Sequence, residues 1–199
     1  MRDRRDRRDT RDSGRARGFI PAHGGYRNLL SYRRAEIVYD ATVRFCRRFL
    51  APRDRTVDQM IQAARSGKQN IIEGSVASAT SKETEIKLTN VARSSLHELL
   101  ADYRDFLRGC GANEWGTDHA FARRLRELIK TPNANYETFR KGVEHPDPTI
   151  AANVIIGLTK VTIYLLDRQI RRLEQDFVKQ GGLRERMTRA RLEERGHRA

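Results

Sequence analysis

Cysteine is close to absent from this chain of 199 residues. Its two thiols, Cys46 and Cys110, are too few and too far apart for a disulfide framework or a zinc site. They read as buried thiols of a reducing compartment, and the expected location is cytoplasmic. Proline and tryptophan are scarce, at five and one. Long apolar runs are missing as well. No stretch approaches the ~18 consecutive apolar residues of a membrane span, so no membrane association is expected. The stretch Met1 to Arg17 lacks the apolar centre of a secretory signal. Acidic residues are outnumbered, 26 against 40 Lys+Arg, and only 7 of those 40 are lysine.

What is present is positive charge, a formal +14. An acidic partner follows, nucleic acid first. An arginine bias this strong can also reflect genomic base composition, so the excess is either functional or compositional. The charge is uneven along the chain. Arg2 to Arg17 holds eight Arg and four Asp with no apolar residues to form a core. Residues 1–18 are therefore expected to be a disordered arm, either solvated or condensed onto RNA. Residues 19–182 form the body, and 183–199 a basic tail with Leu183 and Met187 on one helical face.

The body predicts an all-α fold, because no alternating run bounded by turns suggests a strand. A first helix is expected from Tyr32 to Leu50, with Ala35, Val38, Thr42, Phe45 and Phe49 on one stripe, Ser31 as N-cap and Pro52 as stop. A second opens on Thr56 with Gln59 as a capping box and carries Met60, Ala64, Gly67 and Ile71. Gly67 costs about 1 kcal/mol inside a helix, so it signals close approach of another backbone. The stretch from Gly74 to Ala79 is read as the turn. A third helix opens on Thr80 with Glu83, runs through Leu88, Leu96, Leu99, Tyr103 and Phe106, and stops at Gly109-Cys110-Gly111. A shorter helix is expected over 118–130, then a connector with at most a turn near Tyr136 and Phe139. A fourth long helix has Asp147 as N-cap and Pro148 at its first position, and is apolar on more than one face. Four long amphipathic helices give an antiparallel up-down four-helix bundle, with an extra helix in the third connection and a basic C-terminal extension.

The motifs Asn70-Ile71-Ile72-Glu73-Gly74, Ser81-Lys82-Glu83 and Ser95-Leu96-His97-Glu98-Leu99 occur in that order. On them the chain resembles the bacterial four-helix-bundle proteins first noticed as reading frames in intervening sequences of large-subunit ribosomal RNA. It is similar also to the accessory variability proteins of diversity-generating retroelements. The likeness covers roughly Tyr26 to Leu107. The part from Ala151 to Arg191 resembles a subgroup with a four-helix-bundle suffix. The resemblance implies the bundle fold, ring-like homo-oligomers (pentamers in the retroelement proteins), basic surfaces that bind nucleic acid, and no enzyme activity.

Two clusters are candidate phosphate contacts. Arg65, Lys68, Lys82, Lys87 and Arg93 surround the hairpin of the second and third helices. Lys and Arg there would neutralise backbone phosphates and release counterions. The alternative is a solvated face with Glu83 pairing Lys87. Arg44, Arg47 and Arg48, followed by Arg53 and Arg55, gather where the first helix ends, a position the helix macrodipole also favours. Arg123, Arg124 and Arg126 read similarly, with Glu127 as a screen. Asn70 and Glu73 share a face and are either a polar site or capping groups for the next turn.

Catalytic chemistry finds little footing. The five histidines are scattered, the two Glu-x-x-His motifs of a di-metal bundle are not both present, and no phosphate loop is present. Neither a metal nor any other cofactor is expected. The sequence thus supports a non-enzymatic oligomer that binds RNA or DNA backbone, accessory to a ribonucleoprotein or reverse transcriptase. A structural scaffold gripping a protein partner through the apolar face of the fourth helix is the alternative, and nothing in the residues selects a toxin or defence role.

Overall fold

The structure is a computed structural model and describes residues 25–196. The expected arm, 1–18, lies outside the described residues. A 3-10 turn, Gly25–Asn28, leads into α1 (Leu30–Phe49), α2 (Arg55–Ala77), α3 (Lys82–Gly109), α4 (Ala120–Lys130), α5 (Tyr136–Val143), α6 (Pro148–Gln180) and α7 (Leu183–Gly196). No strand occurs among the described residues, so the fold is all-α.

α2 and α3 pack most extensively and run antiparallel: Ser66 meets Ser95 at 2.9 Å, and Gly67 and Gly74 face Leu96 and Leu88. α1 packs on α2 and α6, and α3 packs on α2 and α6. The apolar stripes of these four helices meet in one core. Phe45, Met60, Leu96, Leu99, Tyr103, Ile155, Leu158 and Leu166 are all buried there. Each contributes on the order of 1.5–3 kcal/mol by leaving water. Phe45 sets its ring edge-on to Tyr103 at 5.1 Å and to Phe106 at 4.9 Å, and the Tyr103 hydroxyl donates to Thr42 Oγ1 at 3.1 Å.

Several element ends differ from expectation. Ser31 does not cap α1; it lies inside the helix, buried, and donates to Gln169 Oε1 on α6 at 2.7 Å. Thr56 is not the N-cap of α2, because Asp54 takes that place and accepts from the Thr56 N–H at 2.9 Å. Thr80 does not cap α3 with Glu83. Ser81 does, accepting from the Thr84 N–H, while the Thr80 hydroxyl donates to the Ala77 carbonyl. In both cases a better-placed oxygen one or two residues away wins. The expected turn at Gly74 is still helix, and α2 reaches Ala77. Gly67 makes room first for the Leu96 side chain: an added Cβ would lie 2.7 Å from Leu96 Cδ2, with the Ala92 backbone carbonyl of α3 at 3.6 Å. The expected connector contains α5, whose capping box of Asn135 and Thr138 sets Phe139 and Val143 into the core.

α6 begins as expected, with Asp147 accepting from the Thr149 N–H at 2.8 Å and Pro148 in the first turn. It stops at Gly181, which takes a φ of 69°. It also contains an 18-residue window with a mean hydropathy of 1.7, long and apolar enough by composition to cross a membrane. That departs from the expectation of no such segment. In the fold 61% of the window is buried against the neighbouring helices, as the central helix of a packed core would be. The apolar face expected to be free for a partner is therefore largely covered. Its large solvent-exposed apolar residues are Tyr164 and Val178. α7 buries none of its residues.

Candidate nucleic-acid interface

The corner between α1 and α2 is built by three local rules. Arg47 and Arg48 occupy the last turn of α1, where a cation complements the carbonyl end of the helix. Pro52 cannot continue that helix, and Asp54 starts the next one. Arg53 and Arg55 are carried along in the turn and at the first position of α2. All four arginines are exposed, and none forms an ion pair among the described residues. Arg48 lies over the Phe49 ring at 4.7 Å. Asp54 is committed to its helix: the Thr56 N–H holds its carboxyl below the usual aspartate range. The macrodipole explains Arg47 and Arg48 but opposes Arg53 and Arg55, which stand at a helix N-terminus where cations are disfavoured by about 0.3–1 kcal/mol. Arg44 points elsewhere, 3.8 Å from Glu144.

The hairpin cluster does not form one patch. Lys82 is paired with Glu85 at 2.8 Å. Arg93 bridges to Asp167 on α6 at 2.6 Å and to Asn90. Lys68 sits 4.1 Å from the centre of the Tyr39 ring, beside Asp40. Burial raises the Asp40 carboxyl even so. Arg65 and Lys87 are exposed and unpaired among the described residues, and the expected pair of Glu83 with Lys87 does not form. Arg65 stands ten residues from Arg55 along α2, about 15 Å, whereas Lys82 and Lys87 belong to the start of α3 at the other end of α2.

The polar candidates separate too. Asn70 donates to the Ser66 carbonyl at 2.9 Å and to its hydroxyl at 3.2 Å, tying itself to its own helix and to the Ser66–Ser95 contact. Glu73 is exposed and caps nothing among the described residues. On α4, Arg126 donates to the Thr117 carbonyl, and Glu127 pairs with Lys130 rather than screening Arg123 or Arg124.

Two features had no expectation attached to them. Glu114 receives both Arg104 from α3 and Lys160 from α6. Burial opposes its charge, yet those hydrogen bonds hold its carboxyl below the usual glutamate range. Trp115 stacks on His119 at 4.8 Å and leans on Phe121 at 5.4 Å. Three rings within seven residues of a polar connector were the available signal. Among the described residues, no three of His, Cys, Asp and Glu gather where they could hold a metal ion. Comparison with known proteins finds no matching family model, no matching curated protein and no matching solved structure.

Proposed function

We propose that this chain is a non-enzymatic protein that binds nucleic-acid backbone through the α1–α2 corner, within an up-down four-helix bundle of the kind its hairpin motifs resemble. One observation carries the reading. Arg47, Arg48, Arg53 and Arg55 are exposed and free of carboxylate partners among the described residues, and two of them stand where helix electrostatics disfavours them. Arg65 extends the same helix. The alternate packing of α1, α2, α3 and α6 supports the bundle, and a homo-oligomer, a pentameric ring in the resembling proteins, would multiply a modest patch by multivalency. The partner role would be accessory to a ribonucleoprotein or reverse transcriptase.

Binding to single-stranded RNA and duplex DNA over a salt series tests this. Affinity should fall steeply with salt, because each neutralised phosphate releases counterion. Changing Arg47, Arg48, Arg53 and Arg55 together to Gln should weaken binding about tenfold or more and flatten the salt slope. The same change at Lys82 and Arg93 should do less. Affinity independent of salt, or indifferent to the corner, would overturn the proposal. Light scattering on nuclease-treated protein gives the subunit number.

A further inference from the structure

The segment between α3 and α6 is held to the bundle at several points: Asn153 accepts from the Trp115 N–H, Arg34 donates to the Ile129 and Ala134 carbonyls, and Phe139 and Val143 of α5 sit in the core. Leu125 of α4 rests against Gly157 of α6, where a Cβ would collide with it. Cavities open on both sides of that contact. One, about 230 Å³, runs beside Lys160. The other, about 420 Å³, lies between α4, α5 and the start of α6. The larger falls in the range of about 300–1,000 Å³ usual for small-ligand sites.

The lining of the larger cavity describes its ligand. Leu128, Phe139, Ile150 and Val154 offer it apolar walls, with Trp115 and Phe121 at its aromatic edge. Phe121 is 52% exposed, an expense in water unless something covers it. The charged groups are unbalanced. Arg124 and Lys141 line the cavity, are exposed, and have no carboxylate partner among the described residues. Glu137 also lines it but is held by Arg140 at 3.2 Å. His145 accepts the Asp147 N–H at Nδ1, 3.0 Å away, so its neutral ring carries the proton on Nε2 as a donor. The cavity thus joins an apolar interior to cations and a donor that lack an anion.

We propose that this cavity binds an amphipathic carboxylate of the medium-chain fatty-acid class, its chain against Leu128 and Val154 and its carboxylate met by Arg124 and Lys141. A cationic amphiphile would match the walls but be repelled by the basic groups. The site lies on different elements from the α1–α2 corner and stands independently of nucleic-acid binding.

Trp115 is the chain's single tryptophan and lines both cavities, so its emission reports binding at either, and Arg124 and Lys141, which line only the larger, tell the two apart. The full-length protein is titrated with decanoate and with decyltrimethylammonium, both below their micelle range, following emission and heat of binding. Decanoate should give a saturable change at least tenfold tighter than the cation. The variant Arg124→Gln/Lys141→Gln alters two exposed side chains and should keep its melting temperature while binding decanoate at least fivefold more weakly. No saturable binding, equal response to the cation, or an unchanged affinity in the variant would overturn the proposal. So would an emission shift with protein concentration alone, accompanied by a rise in mass, since a second copy would then occupy the cavity.

Discussion

Arg34 carries a guanidinium into the interior, 3% exposed, with no carboxylate paired to it among the described residues. Its Nη1 donates to the Ala134 carbonyl at 2.8 Å and its Nη2 to the Ile129 carbonyl at 3.0 Å, and it lies over the Phe139 ring at 5.5 Å. Its Nε finds no partner among the described residues. Burial lowers the pKa below the usual arginine value. What compensates is the carbonyl end of α4, where helix dipoles supply partial negative charge. Arg34→Ala should cost about 2–4 kcal/mol by urea unfolding, because two carbonyls lose their donors and an aromatic wall loses its cover. Lysine should not rescue it, since an ammonium lacks the planar fork that reaches both. Gly67→Ala should also destabilise: the helix gains about 1 kcal/mol of propensity, but crowding of a fully packed leucine costs about 1–3 kcal/mol. Trimming Leu96 to Ala in the same chain should make the second change partly compensate the first, read as a coupling energy in a double-mutant cycle. Nothing local announces Arg34, whose partners lie 95 and 100 residues away. The same holds for the pair of Arg93 with Asp167, 74 residues apart, which removed a candidate phosphate contact.

Helix starts show how far local chemistry can be read. Asp147-Pro148 was legible because an oxygen cap and a proline leave one register. At 54–56 and 80–81 two eligible caps adjoin, and pattern alone does not choose between them. Ser81→Ala should therefore cost about 1 kcal/mol, while Thr80→Ala should cost little, each measured by urea unfolding. Asp54 and Asp147 hold their carboxyls below the ordinary 3.8 through bonds to Thr56 and Thr149. Their folded pKa is depressed, so their contribution is fully present above the ordinary 3.8 and is lost as pH falls through the depressed folded value. α5 was legible only as a turn near Tyr136 and Phe139, because eight residues with two core side chains give too little periodicity to see. The long stripes of α1, α2, α3 and α6 were readable because each repeats its apolar spacing over five turns or more.

For the molecule as a whole, alkali is the revealing stress. Burial pushes the Cys46 thiol from 9.0 to about 12. Burial first, then a hydrogen bond to Glu36, takes Tyr32 from 10.0 to about 12, and Tyr136 rises to about 12 mainly by burial. The folded chain keeps protons that the unfolded chain releases, so stability should fall as pH rises from about 9 towards 12, read from urea midpoints across that window. Removing residues 183–196 should shift the melting temperature by less than about 2 °C, because no α7 side chain is buried. The same truncation should weaken nucleic-acid binding modestly, since the segment carries five Arg against three Glu.

Open space on both flanks of the Leu125–Gly157 contact, with Arg34 on the Ile129 carbonyl as a second hold, gives α4 its own opening equilibrium. Its amides should exchange with deuterium as one cooperative group, well ahead of those in α3 and by a route that leaves the four long helices closed. Severing the Arg34 tether should speed that exchange far more than it speeds exchange at the Ser66–Ser95 crossing. The protein would then possess a hinged flap latched by one leucine and one guanidinium.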